Sequence, residues 1–140
     1  MSRSGYSEDD YDYDSNWPHI CWRGAVKSAI RGKRGQAFLR ELLAALDALP
    51  EKRLIPNELQ TAKGEYCAFG AVGSRREIEM RGVWPDHEAH EIGMLFDIPH
   101  ALAAEIMWEN DEGGYYKETP EQRFSRVRAW VLSQIKELAQ

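Results

Sequence analysis

The stretch GEYCAFGAVG (64–73) sets Cys67 among glycines and alanines. Two chemistries fit such a thiol. At a helix start the dipole lowers a thiol pKa and creates a nucleophile, which then needs a base beside it. Inside a helix, Cys67, Gly70, Ala71 and Ser74 share one face, and small residues there let a neighbouring helix come close. Cys67 is then a small buried hydrophobe, as most free cysteines are. Helix-interior glycine costs about 1 kcal/mol relative to alanine, so Gly70 and Gly73 need a packing reason. No familiar Cys/His spacing links Cys67 to His19, His87, His90 or His100, which favours packing over catalysis.

His87-Glu88-Ala89-His90-Glu91 invites a metal reading. The zincin motif needs histidines at i and i+4, and here they stand at i and i+3. His87, His90 and Glu91 still converge on one helix face, but structural zinc prefers four ligands with thiolates, and Cys21 and Cys67 are single. A solvated polar face, without metal or cofactor, is the expectation. Asn110-Asp111-Glu112-Gly113-Gly114 lacks the alternating ligands of an EF-hand. It reads as a turn in which Asn110 or Asp111 caps backbone and a glycine supplies positive φ.

The net charge of −5 is unevenly distributed. Residues 1–20 hold Arg3 against Glu8, Asp9, Asp10, Asp12 and Asp14, net −4. Residues 21–40 hold Arg23, Lys27, Arg31, Lys33, Arg34 and Arg40 without an acid, net +6, and residues 86–112 hold eight acids without Lys or Arg. Such blocks speak of partners and solubility rather than fold. The basic block is a nucleic-acid candidate, or it pairs internally with the acidic tail or the acids of 86–112. The acidic blocks are candidates to mimic nucleic acid before a basic partner protein. For the tail, a solubilising role stands beside that one.

C-A-F-G-A-V (67–72), E-N-D-E (109–112) and T-P-E-Q-R (119–123) resemble a loose group of small helical bacterial and phage or prophage proteins. That group shares a Cys-Ala-Leu-Gly-Ala helix and a later Asn-Asp turn before a terminal helix, and Phe69 stands where it commonly has Leu. The likeness extends to R-G-K-R-G-Q (31–36). It implies a fold family and a mobile-element setting, and no activity.

The elements that must position these residues are helical. Trp22, Ala25, Val26, Ala29 and Ile30 mark one helix face, and Gly32 and Gly35 end or bend that helix. Phe38, Leu39, Leu42, Leu43, Ala45 and Leu46 stripe a second helix that Pro50 stops. Residues 51–64 are irregular, with a short extended piece at Leu54–Ile55. Residues 65–76 read as a third helix. A fourth begins at Pro85-Asp86 with Ala89, Ile92, Gly93, Leu95 and Phe96 inward, and a fifth has Pro99 in its first turn. Thr119-Pro120-Glu121-Gln122 is a capping-box start for the last, with Phe124, Val127, Val131, Ile135 and Leu138 inward. Residues 91–109 imitate a helix-turn-helix in apolar spacing. The second helix offers His100, Glu105 and Glu109, which phosphate repels, so a plain αα-hairpin is the better reading.

The expectation is an all-α bundle of five or six short helices over 17–140, with a flexible acidic tail at 1–16. No apolar run approaches a membrane span or a secretory signal, and two cysteines make no disulfide framework, so the chain reads as cytoplasmic. The functional expectation is a non-enzymatic accessory protein that binds a partner protein, such as a host nucleic-acid-handling or defence complex, and inhibits it. Its acidic contact residues would be Asp9, Asp10, Asp12, Asp14, Glu105, Glu109, Asp111 and Glu112. The alternative is nucleic-acid binding through Arg23, Lys27, Arg31, Lys33 and Arg34.

Overall fold

Two glycines cut the first apolar stripe from the second, and the helices divide there. In a computed structural model, which describes residues 4, 17–78, 80, 88–114 and 117–136, helix α1 spans Trp17–Arg31 and α2 spans Lys33–Ala48. Gly32 is the extended N-cap of α2. A side chain at Gly35 would collide with the Ala29 carbonyl, so only glycine allows this tight corner. The buried Gln36 fastens it. Its Nε2 donates to the carbonyls of Ile30 (2.7 Å) and Gln134 (3.0 Å), and its Oε1 accepts from the Lys136 N–H (3.0 Å).

Four further helices follow among the described residues: α3 (Ala68–Arg75), α4 (Ala89–Phe96), α5 (His100–Asp111) and α6 (Pro120–Gln134). The fold is an all-α bundle. The irregular segment contributes one isolated antiparallel bridge, Gln60 to Tyr66, among the described residues. Thr119 and Gln122 form the expected capping box, with Pro120 in the first turn of α6.

Helix α5 is the hub. Every residue from Ala101 to Met107 is buried, and α1, α3, α4 and α6 all pack against it. Asp97 ends α4 in the left-handed conformation (φ 58°), and the Ile98 N–H returns to the Gly93 carbonyl (2.9 Å). The α4–α5 pair therefore has the helix-turn-helix spacing, but its second helix lies inside the bundle and cannot enter a groove. Phe38, Phe69 and Phe96 stack in the core between α2, α3 and α4, with the Arg76 guanidinium over two of the rings.

Several expectations need correction. Helix α3 begins at Ala68 rather than 65, because Tyr66 is held in the bridge and Cys67 is the extended N-cap. Gly70 makes room for the Leu59 backbone and Gly73 for the Met80 side chain, not for a neighbouring helix. Phe69 and Val72 are buried with the small face, so this short helix is enclosed on nearly all sides. Ala25 is exposed, because it lies at the edge of the stripe beside Trp22 and Ala29, which are themselves only half-buried, while Val26 and Ile30 face the core. Leu95 is 37 % exposed and Met94 80 %. Pro99 is the N-cap of α5, one position before its first turn. The proposed α4 start at Pro85-Asp86, and Leu138, lie outside the described residues.

Candidate functional site

The three motifs that carry the resemblance meet in space. Asn110, buried at the end of α5, accepts from the Ala68 N–H at the start of α3 (3.0 Å). Its amide donates to the Ile55 carbonyl (3.0 Å) and to Asp111 Oδ1 (2.8 Å). The Arg123 Nε of α6 donates to the Asn110 carbonyl (2.9 Å). The Asn57 N–H donates to Asp111 Oδ1 (3.0 Å), and the Leu54 N–H to the Pro120 carbonyl (3.1 Å). Asn110 thus caps backbone as expected, but the backbone is 42 residues away rather than within its own turn. Gly113 and Gly114 are not at positive φ. A side chain at Gly114 would instead meet the ion pair of Glu118 and Arg126.

An ion-pair network surrounds this fastening. Arg126 grips Glu118 with two hydrogen bonds (2.7 and 3.1 Å) and also reaches Glu109 Oε1 (3.2 Å) and the Glu109 carbonyl (2.6 Å). The Arg126 hydrogen bonds hold the Glu118 carboxyl below its ordinary range. Burial pushes Glu109 above it, with Arg126 opposing and Glu105 adding to the rise. Burial also lowers the Arg123 guanidinium, which Glu118 opposes. Every buried side-chain nitrogen and oxygen described has a hydrogen-bond partner.

The acidic candidates on α5 therefore form an internal network rather than a free surface. Glu105 is 6 % exposed, and both of its oxygens accept from Arg23 (2.9 and 2.7 Å). Glu109 lies in the Arg126 contact, and Asp111 holds Asn57 and Asn110. Glu112 is exposed at the end of α5. Asp9, Asp10, Asp12, Asp14 and His87 lie outside the described residues. His90 is exposed, with Glu88 at 3.5 Å and Glu91 at 3.9 Å. Among the described residues no three His, Cys, Asp or Glu side chains gather as metal ligands. Cys67 is fully buried, and its sulfur accepts from the Gly70 N–H (3.4 Å), while Cys21 is exposed.

The basic candidates separate into two groups. Arg23 turns inward to Glu105, so it belongs to the core network. Lys27, Arg31 and Lys33 are exposed and have no side-chain hydrogen bond or ion pair among the described residues. Arg34 contacts Asp97 (2.8 Å), an exposed pair of the kind worth about 0–1 kcal/mol. Lys136, which no local pattern in the sequence marks, joins them by donating to the Arg31 carbonyl (2.7 Å). Only the return of the chain just past α6 to the end of α1 reveals it, since 105 residues separate the partners. Lys33 and Arg34 are the first two residues of α2, whose N-cap makes no side-chain hydrogen bond. Cations there face the positive end of the helix dipole, an arrangement that an anion relieves.

No protein-family model matches the chain, and neither a curated protein nor a solved structure matches it. No described helix is long and apolar enough to cross a membrane.

Proposed function

We propose that the protein is a non-enzymatic binding module that engages the phosphate backbone of nucleic acid through the corner between α1 and α2. The observation that supports this is the corner's charge. Arg31 ends α1 and Lys33 and Arg34 begin α2, Lys27 stands one turn before Arg31, and Lys136 donates to the Arg31 carbonyl, while Asp97 is the acid paired with Arg34 among the described residues. Clustered cations that neutralise phosphates release counterions, and the net charge of −5 leaves this local field to do the binding. Charge reversal at Arg31, Lys33 and Arg34 tests the reading in a mobility-shift titration at low salt. The parent should shift a nucleic-acid probe and the variant should not. Equal shifts, or none by the parent, contradict it.

A second reading is favoured by α4. Met94 and Leu95 stand exposed beside Glu88, His90, Glu91 and Asp97, an apolar spot with an acidic rim. Such a face suits a basic partner protein, and the resemblance supplies the setting: a phage or prophage accessory that inhibits a host nucleic-acid-handling or defence complex. Under this reading Met94→Asp abolishes partner capture while the corner variant does not.

A further inference from the structure

Glycine in a helix interior needs a reason, and the other glycines inside these helices each have one. Gly35, Gly70, Gly73 and Gly93 would all force a neighbour to move if they carried a side chain. Gly24 is different. It lies in the middle of the 15-residue α1, it is exposed, and a Cβ there would meet nothing within 4 Å among the described residues. Its φ is not in the left-handed range. Alanine would fit the site and make a better helix, so packing within the described protein does not explain the glycine.

Its stripe suggests what does. Ile20, Gly24, Lys27 and Arg31 stand at i, i+4, i+7 and i+11, one line along α1, and all four are exposed. The line runs about 16 Å and ends at the cationic corner. We propose that α1 lies with this stripe against the sugar–phosphate backbone of a nucleic-acid duplex, with Gly24 as the point of closest approach. The inference rests on the reading of the corner as a nucleic-acid surface. The missing side chain lets the sugar–phosphate chain ride on the helix backbone, while Lys27 and Arg31, one and two turns further on, reach adjacent phosphates. The four exposed stripe residues offer cations, a glycine and an aliphatic group, and none of the four carries a ring. Single strands are held largely by stacking on rings, so the stripe suits a duplex. Contacts of this kind fix position and carry no sequence information.

Fluorescence anisotropy with a labelled duplex of mixed sequence tests this, using Gly24→Ala, Gly24→Gln and Lys27→Glu, each checked by thermal melting. Gly24→Ala and Gly24→Gln should melt at or above the parent temperature, because the site is open and both residues favour helix. Gly24→Gln should weaken duplex binding about tenfold or more, with Gly24→Ala between it and the parent. If Gly24→Gln binds within about twofold of the parent while Lys27→Glu loses binding, the close approach is wrong and the corner reading stands. If the parent binds no duplex, both fall. A parent dimer that Gly24→Gln dissociates without loss of duplex binding would assign the glycine to a protein contact and overturn the proposal.

Discussion

Replacing Asn110 with alanine should show whether the E-N-D-E run is a fastening or an open site. The side chain makes three hydrogen bonds, to the Ala68 N–H, the Ile55 carbonyl and Asp111. Ala68 is fully buried, so no water replaces the lost acceptor. An orphaned buried donor costs about 1–3 kcal/mol, and the half-buried Ile55 carbonyl adds about 1 kcal/mol. The expected loss is about 2–4 kcal/mol, a large fraction of the roughly 5–15 kcal/mol that holds a domain of this size. Asn110→Asp keeps the acceptor but removes the donor and sets a second carboxylate beside Asp111, so it should lose a similar amount at neutral pH and regain part of it on acidification. Urea unfolding followed by tryptophan fluorescence gives both values. If Asn110→Ala unfolds within about 1 kcal/mol of the parent, the side chain is not a structural tie, and the reasoning fails.

Three other outcomes follow from the same geometry. Arg23→Ala should destabilise the fold by about 1–3 kcal/mol in urea titrations, because it strands the buried Glu105, discounted for the partial exposure of Arg23. It should leave nucleic-acid affinity near the parent value, in contrast to Lys27→Glu. The pH dependence of unfolding separates Glu118 from Glu109. Glu118 has a lowered folded pKa, so its contribution is present above its unfolded pKa, about 4.3, and is lost as pH falls through the folded value. Glu109 has a raised folded pKa, so its contribution favours the fold more as pH falls through that value. Glu118→Gln should therefore flatten the acid limb of the stability curve, and Glu109→Gln should steepen the loss on acidification. With a thiol reagent, Cys21 should react at once and Cys67 only as the protein unfolds; rapid native labelling of both would place Cys67 at an accessible site.

The parts of this fold that were legible in the sequence are those written by local chemistry. The capping box at Thr119 and Gln122, the glycine break at Gly32 and the apolar stripe of α2 each depend on neighbours within a few residues. What stayed hidden depends on distant partners. Arg23 reads as part of a basic surface in sequence, because its partner Glu105 lies 82 residues on. Cys67 looked like a helix-interior residue because neither the bridge at Tyr66 nor the reach of Asn110 to Ala68 leaves a local signal. Lys136 joins the cationic corner only because Gln36 ties the ends of α1 and α6 together. Gly24 is visible as a glycine in any reading. That nothing described fills the space around it is visible only in three dimensions.

The central claim is that the corner of α1 and α2 binds phosphate, and its salt dependence is the most direct measurement. Affinity for a duplex should be followed by anisotropy across a series of salt concentrations, for the parent and for a Lys27→Glu, Arg31→Glu, Lys33→Glu variant. Each neutralised phosphate contributes about −0.9 to the slope of log K against log salt, so four or five contacts predict a slope of about −4. The variant should lose binding or show a slope near zero. A parent that does not bind, or a slope that the three reversals leave unchanged, would contradict the account.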